Sequence, residues 1–340
     1  MRRSSKTTIE DVAREVGLST ATVSRALHLD KTTKVSEETR QRIREVARAL
    51  DYQPNLAGRS LATGRANMVA YCTVDTFSYY YSRITYEIYV QASERDYDLI
   101  VNTPQHNVRP SGGIKPITAH CDGIIACDVN QSSQYFANLL QLKNTPLVGI
   151  GMYYPQDRDH VGFDLYTPSV AAMQHLLAQG CRRVLHVTGN SDGQDPRSMA
   201  YLSVLGEAAL PSEMLLVSQL TRHESREGIK AFVNEQRALA KPLPDALFCI
   251  NDEVALGCYR GLCDLGIRVP DDIMLVGCDG IEDTEYQVCP ITTIALPMSQ
   301  MCSTAWDFLE NRIKNPQLPQ QDILLQPQLI IRQSTQPVRL

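Results

Sequence analysis

The chain has 340 residues and a mass of 38.0 kDa, enough for two or three folding units, with 43% hydrophobic, 21% charged and 6% aromatic residues. That mixture can bury a sizeable core and excludes a wholly disordered or collagen-like chain; no run of about 18 apolar residues could span a membrane. The net charge of −5 alone argues against nucleic acid, but residues 1–66 hold 13 basic and 8 acidic residues while the remainder holds 20 and 30. A small basic head on a large acidic body is the asymmetry of a nucleic-acid-binding module fused to something else, although a basic N-terminus can also be only a solvated surface.

The first residues, Met1-Arg2-Arg3-Ser4-Ser5-Lys6, lack the apolar block of a secretory signal, which predicts a cytoplasmic protein. The head then reads as three short helices. Thr7 or Thr8 can cap a first helix with Ile9, Val12, Ala13 and Val16 on one face, and Gly17 is placed to end it. Leu18 is expected to fill the space under the turn. Ser19 then caps a second helix, Thr20 to Leu27, with Val23, Ala26 and Leu27 inward. This order of apolar face, glycine, apolar residue, cap and short helix describes a helix-turn-helix. A third helix starts near Ser36, with Ile43, Val46, Ala47 and Leu50 at helical spacing and Arg40, Arg42, Arg44 and Arg48 expected on its outer face.

In a helix-turn-helix the start of the second helix enters the major groove. Arg25 suits guanine O6 and N7, and the methyl groups of Thr20 and Ala21 suit a thymine methyl. The short hydroxyls of Ser19, Thr22 and Ser24 suit phosphates, which position without specifying. The alternative is a generic three-helix bundle with a polar outer face. Beyond the head, Pro54 disfavours helix at Gln53 and permits a new one across Asn55–Ala62, a segment that contains Gly58. Isolated helices under about 12 residues are marginal in water, so this one needs a partner; otherwise it is a linker with one exposed leucine.

From Met68 onward short apolar runs alternate with helical stretches. Val69–Val74, Leu99–Thr103, Gly123–Asp128, Leu147–Gly151, Val184–Gly189, Ala246–Asn251 and Ile273–Asp279 read as buried strands. Residues 83–95, 132–142, 168–179, 197–209, 225–240 and 253–265 read as the helices between them. The alternation predicts an α/β body of two doubly wound lobes with parallel sheets, and a ligand at the carboxyl ends of the strands. Polar residues gather there: Asp75 to Tyr81, Asp164, Arg197 with Tyr201, Asn251 and Asp279. Such groups fit polyhydroxylated ligands. The plainer alternative is that Asp164, Asn251 and Asp279 only cap helices, and that Arg197 pairs with Glu207 or Asp195.

Other chemistries lack their motifs. No G-x-G-x-x-G or G-x-x-x-x-G-K-[ST] sequence occurs, and the seven histidines show no H-E-x-x-H spacing. The ten scattered cysteines form no C-x-x-C pairs, and no histidine cluster accompanies a candidate nucleophile, so neither an enzyme nor a metal site is expected. The cysteines read as reduced, packed residues.

Thr8-Ile9-Glu10-Asp11-Val12-Ala13, then Gly17-Leu18-Ser19, Thr22-Val23-Ser24-Arg25 and Tyr52-Gln53-Pro54-Asn55, together resemble the lactose/galactose repressor family of bacterial transcription regulators. The resemblance extends through the body, with Val16 standing where the family often has alanine. It implies a helix-turn-helix domain at 1–53, a hinge helix at 54–66, and a two-lobed, periplasmic-binding-protein-like effector and dimerisation domain at 67–340. Ser36, Thr39, Tyr52 and Asn55 join Ser19, Thr20, Ala21, Thr22, Ser24 and Arg25 as implied DNA contacts. Leu61 falls where the family wedges a leucine between central base pairs of the operator, as paired hinge helices enter the minor groove. On the effector side the resemblance implies Arg197 as the ligand clamp, with Tyr201, Asn251 and Asp279. His223 falls near a stacking position, and Ser78, Tyr79 and Tyr81 fall on the N-lobe side of the cleft. The tyrosine run could stack on a ring, fill a small pocket or lie at a dimer surface.

The resemblance therefore implies an allosteric regulator, most often a repressor. It binds a near-palindromic operator as a homodimer, is controlled by a sugar or nucleoside-like molecule in the cleft, and needs no cofactor. No leucine heptads follow Thr335, so a dimer is the expected state. The rival is a regulator controlled by another protein, with a degenerate cleft.

Overall fold

The computed structural model describes residues 7–27, 35–53, 65–103, 121–128, 145–154, 156–191 and 193–336. Its contacts divide the chain into two units, Met1–Asn67 and Met68–Leu340. Residues 28–34, the expected hinge positions Asn55 and Leu61, and the expected helix 132–142 lie outside the described residues.

In the first unit, α1 (Ile9–Val16), α2 (Thr20–Leu27) and α3 (Glu37–Ala49) enclose a core of Val12, Ala13, Val16, Val23, Ala26, Ile43 and Ala47. Thr8 starts α1 through a reciprocal cap: its hydroxyl accepts from the Asp11 amide, and the Asp11 carboxylate accepts from the Thr8 amide at 2.9 Å. Gly17 ends α1 at φ 71, a left-handed conformation that costs glycine least. The Ser19 hydroxyl accepts from the Thr22 amide at 3.2 Å and so caps α2.

Two expectations for the head need correction. Leu18 does not fill the turn; it is 37% exposed, because Val12, Val16 and Val23 close the core without it. Arg40 does not lie on the outer face of α3. It is buried, and its Nη1 donates to the Ala26 carbonyl at 3.2 Å, satisfying one of the carbonyls that the end of α2 leaves without a helical partner.

The second unit opens with β1 (Met68–Thr73), α4 (Tyr79–Glu94), β2 (Asp98–Asn102), β3 (Gly123–Cys127), β4 (Leu147–Gly151) and β5 (Asp159–Phe163). The chain then leaves this lobe for α5 (Tyr166–Ala178), β6 (Val184–Thr188), α6 (Pro196–Glu207), β7 (Glu213–Leu216), α7 (Arg222–Ala238), β8 (Ala246–Cys249), α8 (Asp252–Asp264), β9 (Met274–Asp279) and β10 (Thr292–Ala295). It returns for α9 (Met298–Lys314) and β11 (Asp322–Leu325), then crosses again to β12 (Gln328–Ile330). The N-lobe sheet has the order β11-β5-β4-β3-β1-β2 and the C-lobe sheet the order β12-β10-β9-β8-β6-β7. Every pairing is parallel except β10 with β12. These are the two doubly wound lobes that the strand–helix alternation predicts.

The described strands agree with the sequence expectation to within a residue or two, but β7, β10, β11 and α9 were not anticipated. They matter because they set the crossings. The chain passes between lobes three times, after Phe163, Ala295 and Leu325, and the first and third crossings run side by side, with the Asp164 amide donating to the Leu325 carbonyl at 2.9 Å. α9 packs on β3, β4, β5 and α4, so a helix reached from the C-lobe completes the N-lobe core with Trp306 and Leu309 fully buried. Among the described residues no helix is long and apolar enough to cross a membrane.

Candidate functional site

On the head, Ser19, Thr20, Ala21 and Arg25 are exposed at the start of α2, while Thr22 and Ser24 are half-buried. The Ser19 and Thr22 hydroxyls lie 2.9 Å apart. Arg25 folds back along its helix, its Nε donating to the Ala21 carbonyl at 3.1 Å. Ser36 caps α3 by accepting from the Thr39 amide, and the two hydroxyls sit 2.8 Å apart. Tyr52 is half-buried against the head core, its amide donating to the Ala47 carbonyl at 2.8 Å, and burial raises its phenol pKa. The exposed small side chains and one arginine are the kind of surface that can meet base edges and phosphates.

In the body, the carboxyl ends of both sheets supply the charged groups of the inter-lobe cleft. From the N-lobe, Asp128 follows β3. Its Oδ1 accepts from the Met152 amide at 2.6 Å and the Tyr153 amide at 3.1 Å, and the Tyr81 hydroxyl reaches it from α4. Burial raises the Asp128 pKa; those amides, Tyr81 and Arg197 pull it back. From the C-lobe, Arg197 enters on the first turn of α6 behind Pro196, only 3% exposed. Two of its nitrogens grip Asp195 at 2.9 and 2.7 Å, and Nη1 donates to the Ile250 carbonyl at 2.7 Å. A paired guanidinium tolerates this burial, since ion pairing and hydrogen bonds offset desolvation.

Asp279 ends β9 beside Arg197. It is 5% exposed and has a φ of 125, a left-handed region that a non-glycine residue rarely occupies. Burial and then the neighbouring Asp252 carboxylate push its pKa well up, and Arg197 offsets part of this. Asp252 in turn holds the β9–β10 connection: its Oδ2 accepts from the amides of Gly280 and Ile281, and Thr293 donates to both of its oxygens. Asp279 forms part of the wall of a cavity of about 560 Å³, together with Tyr79 and Arg83 of α4 and Glu282, Leu296 and Arg332 of the C-lobe and crossing. Ser78 precedes α4 at the same edge, its amide donating to Asp75 at 3.1 Å.

The structure brings Ser78, Tyr79, Tyr81, Arg197 and Asp279 to this edge; Asn251, directly after the Ile250 that Arg197 grips, and Asp164, directly after β5, also follow strand carboxyl ends, whereas Tyr201 and His223 stand away from the cavity. Tyr201 is fully buried, and its hydroxyl bonds the Val184 and Glu213 carbonyls at 2.9 and 2.8 Å. Those residues begin β6 and β7, so the phenol is a tie at the opposite, amino end of the sheet. Asp164 caps α5 at the first crossing, accepting from the Tyr166 and Thr167 amides at 3.1 Å each. Asn251 caps α8 by accepting from the Val254 amide at 2.9 Å. His223 is exposed on the first turn of α7 and is not among the residues around the cavity. Sequence reasoning missed Asp128 and Arg83. Asp128 carried a usable signal, since it ends a predicted strand as Asp279 does.

A helix-turn-helix head in one chain with a two-lobed α/β body is the architecture of a DNA-binding transcription regulator. Residues 8–55 match the bacterial regulatory proteins of the lacI family, and residues 173–335 match a periplasmic binding protein-like domain. The chain is 27% identical to the HTH-type transcriptional regulator DegA of Bacillus subtilis (strain 168), over 98% of this chain and 99% of that one. It is 28% identical to the HTH-type transcriptional repressor PurR of Photorhabdus laumondii, over 96% of each. The fold is also that of the lac repressor dimer bound to operator and the anti-inducer ONPF, with a TM-score of 0.77 at 21% identity, covering 97% of this chain and 99% of that one. The chain belongs to the LacI family of transcriptional regulators, with a periplasmic-binding-protein-like effector domain.

Proposed function

We propose that the protein is a repressor that binds a near-palindromic operator as a homodimer and is controlled by a small molecule, sugar or nucleoside-like, between the lobes. The division is a DNA-binding domain at 1–53, a hinge at 54–66 and an effector and dimerisation domain at 67–340, in the cytoplasm on the nucleoid. In the head, Arg25, Thr20 and Ala21 read bases, while Ser19, Thr22, Ser24, Ser36, Thr39, Tyr52 and Asn55 hold the backbone. Leu61 wedges into the minor groove, so Leu61→Ala weakens operator binding. Equal operator affinity for that variant removes Leu61 from the mechanism.

The observation that carries the effector reading is the convergence of Asp128 and Tyr81 from the N-lobe with Arg197 and Asp279 from the C-lobe, Asp279 lining a cavity of about 560 Å³. Ligand pockets of this size suit molecules whose orientation is fixed by a few polar groups. Closure of the lobes on the ligand bends the three crossings and thereby moves the N-lobe edge from which the hinge departs. Calorimetry with a set of sugars and nucleosides tests this reading. Binding that Arg197→Lys weakens supports it, and a set without any binding favours control by a protein partner instead.

A further inference from the structure

We propose that Tyr79 is a latch between the lobes: its ring stands on an N-lobe helix, packs on the C-lobe core, and holds the cleft closed without an effector; this rests on the reading of lobe closure as the regulated motion. The run Tyr79-Tyr80-Tyr81 opens α4, where successive residues turn by about 100° and so cannot share one partner. Tyr80 turns inward: it is 6% exposed and joins the cluster that holds Ile84 and Ile88. Tyr81 meets Tyr80 edge-on at 4.9 Å and sends its hydroxyl to Asp128. Tyr79 goes the other way. It is half-buried, and the cluster it packs against consists of C-lobe residues alone, from Leu185 on β6 to Ile291 before β10. Ile281 of that cluster lies between Gly280 and Glu282, which line the cavity together with Tyr79.

On the N-lobe side the latch is mounted on fixed parts. α4 packs on β1, β2 and α9. The connection in front of it is pinned by Asp75, whose carboxylate accepts from the Thr76, Phe77 and Ser78 amides at 2.7, 2.9 and 3.1 Å. Tyr79 therefore moves with the N-lobe, while the surface under its ring moves with the C-lobe. Arg83, one turn further along, is tied to Glu87 of its own helix at 2.6 Å, so the contact that Tyr79 makes across the lobes is apolar. A rotation that parts the lobes at this edge returns the ring to water. An aromatic ring sheltered in one conformation and wet in the other biases the two by about 10- to 100-fold. The latch thus raises the closed fraction of the empty protein, and a ligand that binds the closed form gains apparent affinity in proportion to that fraction.

The test is a distance between the lobes, measured by pulsed electron spin resonance on the full chain with no ligand added. Spin labels go on unnatural residues at exposed Glu94 of α4 and exposed Glu207 of α6, and labelled chain is diluted with unlabelled chain so that each distance is internal to one subunit. The unsubstituted protein is expected to show mainly the shorter of two distances. Tyr79→Ala is expected to raise the ratio of longer to shorter about 10-fold or more, and Tyr79→Phe, which keeps the ring, to leave it as it was. A Tyr79→Ala distribution equal to that of the unsubstituted protein overturns the latch. So does an unsubstituted protein found mainly at the longer distance, or a Tyr79→Phe variant that opens. Because no effector enters this measurement, a calorimetric set without any binding would sink the effector reading and leave the distance result standing.

Discussion

Arg197 shows how far a single side chain could be read in advance. The sequence left two possibilities, a ligand clamp or an ion pair with Glu207 or Asp195, and the structure shows the pair with Asp195, buried and fixing the guanidinium where the proposed clamp would act. Removing it has two effects. Arg197→Ala leaves Asp195 buried without its cation and is expected to cost about 3–5 kcal/mol of stability, measurable by urea denaturation. Arg197→Lys keeps the charge but loses the fork, so it is the variant in which effector affinity should fall while the lobe stays folded. Tyr201 makes the opposite case. A tyrosine four residues after the arginine looked like a cleft residue, but a helix of 3.6 residues per turn cannot say which end of the sheet a long side chain reaches. Tyr201→Phe should lose about 1–3 kcal/mol of stability by leaving strand-end groups unpaired, and effector affinity should not change. A weakened effector affinity at unchanged stability would return Tyr201 to the site.

Among the elements, the head was the most legible, because its signals are local: a cap at Thr8, a glycine at the turn, a cap at Ser19 and one apolar face per helix. Ile43 closes that small core from α3, so Ile43→Ala should cost about 2–5 kcal/mol and abolish operator binding. α9 was not read in advance, although Met301, Cys302, Ala305, Trp306 and Leu309 share one face at helical spacing. Nor were β10 and β11. They have four residues each, and β11 pairs Ile323 with Val161, a partner far away in sequence that no local pattern can announce. The strand β6 carries a pH signature. Its His186 donates or accepts between the Phe248 carbonyl and Ser198 at 2.8 Å each, and burial pushes its imidazole down to about 4. A folded-state pKa below the unfolded one means that stability is full above about pH 6.5 and falls as pH drops toward 4, by about 3 kcal/mol in all. Denaturation curves should show this loss, and His186→Gln should flatten it; an unchanged slope would assign the pH dependence elsewhere.

For the whole molecule, the sequence showed a basic head and an acidic α/β body, and it did not show that three strands of chain tie the lobes together at Phe163, Ala295 and Leu325. In the proposed mechanism those crossings make closure over the cavity one motion rather than local disorder. Coupling of this kind is reciprocal: whatever factor the effector imposes on operator affinity, the operator imposes on effector affinity. The direct measurement is therefore the operator dissociation constant of the intact protein with the cleft empty and with it saturated, alongside the effector constant with and without operator. The account predicts that both ratios depart from one by the same factor, about 5- to 150-fold. An effector that binds in the cleft while operator affinity stays the same would contradict it.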